Sequence, residues 1–376
     1  MMPQKWLCPD LLFDGTSLVK GQALALHKGR IQALTLQKDL PPTAHRVVVK
    51  GTVTPGYLDL QVNGGGDAFL NTDPTPQGMS LIAAAHRRFG TVGILPTLIT
   101  DAPEVLDRAA EAALATRARN GILGLHIEGP HISLPRRGTH AARFIRPLDD
   151  RTIAVVRRLR DANVTVMITL APEAVSPGQI ATLAAMGAVV SLGHSDATAE
   201  ATRAALAEGA TCFTHLFNAM SPMLNRSPGV TGAGINSTAF AGVICDGVHV
   251  ADEMVGLALR ARPVADTTFL VSDAMPTVGG SDRFNLYGDE IRLEQGRLVN
   301  SEGSLAGAHV TMADSVARLI SHVGVSPEVA LRMAVTVPAQ VIGQNNLARV
   351  IDRSLDDILV LDSDWRLRGT LAIHAF

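Results

Sequence analysis

From residue 56 to residue 272 the hydrophobic pattern repeats one theme, a short apolar run without alternation followed, in most cases, by a stretch of helical periodicity. Apolar runs of this kind mark strands buried on both faces, as a parallel sheet requires. They cover Gly56 to Val62, Thr91 to Leu95, Ile122 to Ile127, Val164 to Leu170, Ala188 to Leu192, Thr211 to Thr214, Gly242 to Cys245 and Thr268 to Ser272. Helical patterns fill most of the gaps, at Met79 to Phe89, Pro103 to Arg119, Thr152 to Leu159, Gln179 to Met186, Thr198 to Glu208 and Ala251 to Ala261. Eight such strands predict a closed barrel, whose catalytic groups project from the strands' C-terminal ends. After Thr214 no helix is evident. The Gly-, Pro-, Asn- and Ser-rich stretch Asn218 to Ser237 reads as a long loop, and in a compact domain such a loop is expected to be functional.

The two ends of the chain follow a different rule. Short β-like pieces such as Ala23 to Leu26 and Arg46 to Val49 alternate with Gly and Pro punctuation. The tail offers a strand at Asp357 to Asp362, a turn at Asp364 and Trp365, and a second candidate strand at Leu367 to Ile373. Two partial sheets at opposite ends of one chain complete each other. The expected architecture is α/β, a (β/α)8 TIM-like barrel over residues 54–346 with a small β-sandwich domain from residues 1–53 and 347–376. A doubly wound open sheet is the alternative. It is weakened because Asn63-Gly64-Gly65-Gly66-Asp67 is a poor dinucleotide fingerprint and no helix follows it at once.

The 376 residues, 47% hydrophobic and 18% charged, suffice for one large core and a smaller appendage. A formal net charge of −2 without basic runs gives no footprint for nucleic acid or an anionic membrane, which favours small diffusible partners. No signal-like start and no membrane-spanning apolar stretch stand out, so a cytoplasmic location is expected. Cys8, Cys212 and Cys245 form no C-x-x-C pair and are odd in number, which predicts reduced thiols rather than a disulfide framework or thiolate metal site.

Every lysine precedes residue 51, so the predicted barrel can hold neither a Schiff-base lysine nor a carbamylated one. Its chemistry must come from carboxylates, imidazoles and a bound ion. His194 and His215 end neighbouring strand candidates, so one βα unit brings both imidazoles to the same rim. Glu128 ends the run Leu125-His126-Ile127, where an unpaired carboxylate is costly to bury unless it meets a metal. Three protein ligands with an open fourth position describe a catalytic site, and this donor set suits zinc, iron and cobalt. Asp273 ends the last strand candidate, and barrel closure sets it opposite the ligands, where a base serves an ion-activated water.

Seven motifs in order carry a family resemblance. They are Pro55-Gly56-Tyr57-Leu58-Asp59-Leu60-Gln61-Val62-Asn63-Gly64, Leu123-Gly124-Leu125-His126-Ile127-Glu128-Gly129-Pro130, Gly138-Thr139-His140, Ser191-Leu192-Gly193-His194-Ser195, Thr214-His215-Leu216-Phe217-Asn218-Ala219-Met220, Asp246-Gly247-Val248-His249 and Val271-Ser272-Asp273-Ala274. Together they resemble the N-acetylglucosamine-6-phosphate deacetylases of the amidohydrolase superfamily, over nearly the full length. The resemblance implies metal-dependent hydrolysis of the acetamide of N-acetylglucosamine 6-phosphate, releasing acetate. It implies Glu128, His194 and His215 as metal ligands, Asp273 as base and then acid, and His140 as the group polarising the acetyl carbonyl. Asn218, Ala219, Arg226 and His249, with Ala141 and the backbone of Leu305, Ala306 and Gly307, are implied to bind the sugar phosphate. The family also implies a homodimer, in which Arg226 or His249 acts across the interface.

The first strand departs from the superfamily's His-x-His, reading Asp59-Leu60-Gln61-Val62-Asn63. One divalent ion per subunit, zinc in the first instance, is therefore expected. Gln61 stands open between an added ligand, a support for the ligands and a purely hydrogen-bonding group, and Asn63 belongs with it. His126 is expected to support a ligand or to sit satisfied in the core. The same chemistry on N-acetylgalactosamine 6-phosphate is the nearest alternative, since no residue type separates the two epimers. A non-catalytic phosphosugar-binding protein is the more distant one, disfavoured because all four chemical residues are intact.

Overall fold

Eight strands arranged in chain order make the parallel sheet at the centre of the molecule, a computed structural model that describes residues 5–116, 119–300, 303 and 305–374. They are Tyr57–Val62, Thr91–Ile99, Gly124–Glu128, Thr165–Leu170, Val189–Leu192, Cys212–Phe213, Phe240–Val243 and Thr268–Leu270. The ends of the sheet approach each other through a parallel bridge between Val62 and Ala274 and an Asp273 N–H to Gln61 carbonyl bond of 3.0 Å. The sheet is therefore a nearly closed barrel, and the open-sheet alternative is set aside.

Each predicted strand is present, with ends shifted by a few residues. Burial on both faces explains why the runs do not alternate: all nine residues of Thr91–Ile99 and all six of Tyr57–Val62 are buried. The intervening helices start where short polar side chains can cap them. Thr75 accepts from the Gly78 N–H ahead of Pro76–Arg87, Asp149 from Thr152 ahead of Asp150–Asp161, and Thr198 from Ala201 ahead of Ala199–Glu208. Their apolar faces, such as Val105, Leu106, Ala109 and Ala113, share one core with the strand residues Ile94, Leu98, Leu125 and Ile127.

Two elements differ from expectation. The stretch after Thr214 contains a short helix, Gly229–Ile235, fully buried although its sequence GVTGAGI is a poor helix former. Packing overrides propensity here: a Cβ on Gly234 would lie 3.0 Å from Leu216 and 3.3 Å from Phe213. A three-stranded antiparallel sheet, Arg283–Leu286, Asp289–Glu294 and Arg297–Val299, follows the last barrel strand and was not foreseen. It packs Leu286, Ile291 and Leu298 against Phe69, Ile99 and Met275.

The terminal segments form a separate seven-stranded sheet. Its tail strand Ile358–Leu361 pairs antiparallel with His45–Pro55, and Leu367–Thr370 pairs with the tail strand in turn. The second tail strand is shorter than expected, because Leu371–His374 turns into a 3-10 helix. We propose domain limits at 53/54 and 346/347, which fall inside His45–Pro55 and the 3-10 turn Asn345–Ala348. Cys8, Cys212 and Cys245 are free and buried, and no helix among the described residues is long and apolar enough to cross a membrane.

The tail strand serves two cores at once. Leu359 and Leu361 belong to a cluster shared with the barrel residues Tyr57, Leu58 and Val92, whereas Ile358 and Val360 belong to that of the terminal sheet. Replacing Leu359, which has no exposed surface, by Ala removes a side chain from a site with little room to collapse. The expected cost is about 2–5 kcal/mol of unfolding free energy in a denaturant titration, with turnover per folded molecule unchanged.

Candidate active site

The polar residues of the site stand at the C-terminal ends of different strands, where the backbone turns sharply. His194, His215 and Asp273 follow their strands with φ of 48°, 29° and 52°. Side chains rarely adopt this region, and it costs on the order of 1–3 kcal/mol per residue. In return three side chains from separate elements turn inward at one level.

Glu128, His194 and His215 meet closely. His194 Nε2 and His215 Nε2 lie 3.2 and 3.1 Å from Glu128 Oε1, and 3.1 Å from each other. All three residues are buried. His194 Nδ1 donates to the Arg136 carbonyl at 2.9 Å, so in the neutral ring Nε2 carries the lone pair facing Glu128. His215 Nδ1 has no partner among the described residues. Electron-pair donors so placed can hold a cation between them. Their spacing is close to the edge of a tetrahedron with bonds of about 2.0–2.1 Å, so the residues fit one divalent ion.

Gln61 resolves toward hydrogen bonding. Its Nε2 donates to Glu128 Oε1 at 2.9 Å and to Asp273 Oδ1 at 3.1 Å, so its amide bridges the two carboxylates as a donor. Asn63 Nδ2 donates to the same Asp273 oxygen at 2.7 Å. His126 is satisfied within the core: Nδ1 meets the Leu60 carbonyl at 3.0 Å and Nε2 the Thr169 hydroxyl at 2.8 Å.

The two carboxylates have opposite electrostatics. Burial works to raise Glu128, but hydrogen bonds and charge from His194 and His215 outweigh it and hold the group well below the ordinary carboxylate range. Asp273 is pushed up to about 6, by burial first and by the Glu128 charge second. For His215, burial works downward, but the hydrogen bond and charge of Glu128 prevail and its pKa is raised.

A pocket of about 180 Å³ opens above these groups, lined among others by His140, Asn218, Ala219, His249, Leu305 and Gly307. Ala141 and Ala306 are buried beside it. Arg226 does not line it, since it sits in the exposed loop after Met220. A larger groove of about 1120 Å³, lined by Arg88, Arg318 and Trp365, contains none of the three clustered ligands. His249 is aimed by a residue not singled out from the sequence, Asp246, whose Oδ2 lies 2.6 Å from His249 Nδ1. The three-residue spacing of this pair was a legible signal.

The amidohydrolase family pattern matches residues 52–363. The chain belongs to the amidohydrolase family. This amidohydrolase is 38% identical to an N-acetylgalactosamine-6-phosphate deacetylase of Shewanella sp. (strain ANA-3), over 86% of this chain and 82% of the relative. It is 29% identical to the N-acetylglucosamine-6-phosphate deacetylase of Haemophilus influenzae, over 96% and 94%. The crystal structure of N-acetylglucosamine-6-phosphate deacetylase from Pasteurella multocida superposes with a TM-score of 0.89 at 30% identity, covering 98% of this chain and 97% of that one. The chain is thus a hydrolytic enzyme of a metal-dependent family, and its Glu/His/His group can hold a metal.

Protons and metal compete for this group, because an ion needs the lone pair that a proton on His215 occupies. With the His215 pKa raised, that proton stays on to higher pH, so divalent-ion affinity of this amidohydrolase weakens as pH falls through neutrality. Calorimetric titration of the metal-free protein in two buffers of different ionisation enthalpy is expected to show proton release that grows as pH is lowered.

Proposed function

We propose that this amidohydrolase hydrolyses the acetamide of N-acetylglucosamine 6-phosphate to glucosamine 6-phosphate and acetate. The observation that carries the reading is the placement of a raised carboxylate, Asp273, beside the buried Glu128, His194 and His215 at the floor of a pocket. One divalent ion on those three residues, with zinc as the first candidate, would supply Lewis acidity and lower the pKa of water.

The chain's own groups divide the remaining work. Asp273 takes a proton from the attacking water and returns it to the amine, a poor leaving group. Gln61 and Asn63 hold the Asp273 carboxylate from the side away from its second oxygen, which leaves that oxygen for the proton. His140 donates to the carbonyl oxygen as charge develops there. Asn218, Ala219 and His249, with Ala141 and the backbone of Leu305, Ala306 and Gly307, surround the sugar phosphate.

The phosphate needs a strong donor, and among the described residues no arginine lines the pocket of a single chain. Arg226 stands in an exposed loop beside Met223 and Leu224, large apolar side chains 44% and 57% exposed. We assign this loop to the interface of a homodimer, from which Arg226 reaches the partner's phosphate site with bidentate geometry. The reduced thiols accord with a cytoplasmic location. The galacto epimer is the second reading, favoured by the Shewanella relative.

Acetate release from N-acetylglucosamine 6-phosphate, its galacto epimer and unphosphorylated N-acetylglucosamine tests the assignment, with and without metal. Rapid metal-dependent release from the gluco phosphate alone is expected; preference for the galacto epimer moves the substrate and keeps the chemistry. Asp273→Asn is expected to keep one tightly bound ion per chain while losing activity by about 10²–10⁴-fold. Mixing inactive Asp273→Asn with inactive Arg226→Ala subunits should restore activity, because one site of the mixed dimer is then intact. Silence of the mixture would place Arg226 on its own chain's substrate, and an active Arg226→Ala enzyme would place it outside the reaction.

A further inference from the structure

Thr100 lies one residue past the second barrel strand, and it is buried. Its hydroxyl oxygen is 2.7 Å from Nδ1 of His140, and its own backbone N–H donates to that same nitrogen at 3.4 Å. A peptide N–H can only donate, so Nδ1 must be the lone-pair nitrogen of the neutral ring. The hydroxyl then donates to it as well, and the single ring proton is left on Nε2. His140 lines the pocket together with Glu128, His194 and Asp273, and its ring packs 4.3 Å from that of His194.

We infer that Thr100 is a positioning residue, which locks His140 in the tautomer that presents Nε2–H, and not a lone pair, to the pocket. The inference rests on the deacetylase reading only for the identity of the oxygen that receives this hydrogen bond. The opposite tautomer would set a lone pair against an electron-rich carbonyl oxygen and oppose the charge that develops there.

Two features outside the pair keep Thr100 in register. Gly129, next to Glu128, has φ of 74°, and a Cβ there would fall 2.3 Å from the Thr100 hydroxyl, so the bare backbone is what lets the hydroxyl approach the ring. From the other side, Tyr287 donates its phenol to the Thr100 carbonyl. Tyr287 sits at the tip of the first hairpin of the three-stranded sheet, under the Arg143 guanidinium at 5.8 Å from its ring. The unforeseen sheet thereby reaches the tautomer of a catalytic imidazole through one residue.

Long-range proton–nitrogen correlation spectra of histidine-labelled, zinc-loaded enzyme test this directly, with the His140 signals identified by their loss in His140→Asn. The expected spectrum has a protonated Nε2 and an unprotonated Nδ1. Thr100→Val, which keeps the shape and removes the hydroxyl, is expected to mix the tautomers and to lower kcat by about tenfold, less than the ~10²–10³-fold loss of an oxyanion donor itself. KM and metal content should stay near wild type, and Thr100→Ser should restore both kcat and the spectrum. A wild-type ring protonated on Nδ1, a Thr100→Val enzyme with wild-type kcat, or a loss that Ser does not rescue would each overturn the inference. If wild-type protein releases acetate from neither hexosamine phosphate, the substrate reading fails by itself, and the wild-type spectrum alone decides the role of Thr100.

Discussion

Three lone-pair donors within 3.2 Å of one another, buried, are the constraint on which the rest of this molecule turns. With neither a proton nor a cation among them, Glu128 Oε1 and the two Nε2 atoms would repel in a medium of low polarity, and water cannot relieve them. The fold holds them together by drawing each from a different strand end, so no one element need be distorted to bring all three inward. The strain appears instead as single residues in left-handed conformation, His194, His215 and Asp273, braced by the sheet below. A cation repays that arrangement. Barrel closure is part of the same design, since the amides that hold Asp273 come from Gln61 and Asn63, at the other end of the sheet.

Beneath the site the barrel is polar and satisfied. His126 joins Thr169, whose hydroxyl lies 2.6 Å from that of Thr214, and Thr214 in turn lies 2.6 Å from Ser191. On the closing side Asp59 accepts the backbone N–H groups of Gln61 and Ser272. Such a network is stabilising only when every member is paired, and that completeness ties the strand ends to fixed positions. It also explains why His126, two residues from Glu128, stays apart from the Glu128, His194 and His215 group: both its nitrogens are already engaged by Leu60 and Thr169.

The barrel strands were legible because burial on both faces leaves an uninterrupted apolar run, and the Glu128, His194 and His215 group because a polar residue closing such a run has no packing explanation. The three-stranded sheet carried a weaker signal. In Asp289–Glu294 only Ile291 is buried, so the pattern is mostly polar. Its turns were readable in principle, since Tyr287-Gly288 and Gln295-Gly296 both take the positive φ that two-residue hairpin turns demand. The helix Gly229–Ile235 was not readable, because it depends on close packing against Phe213 and Leu216 rather than on helix formers. Residue type left the role of Gln61 open and placed Thr100 nowhere in particular. Their roles are set by partners across the barrel or by the direction of an amide, and neither is written in local pattern.

The division of labour between the two carboxylates follows from the same geometry. Glu128 and Asp273 share Gln61 as a donor, yet their titration is driven apart: two imidazoles face Glu128, whereas Asp273 feels burial and the Glu128 charge. A group held down remains an anion and suits a cation; a group pushed up to about 6 can both take and return a proton near neutrality. An ion bound at Glu128 would offset the charge that raises Asp273 and lower its pKa, which strengthens it as a resting anion. The nearby Asp59 is pushed up to about 7, chiefly by burial and in smaller part by the Asp273 charge, so it titrates after Asp273. The acid–base range of Asp273 is thus set by its burial and by the Glu128 charge, which a bound ion would offset, and Gln61 on the first barrel strand touches both carboxylates.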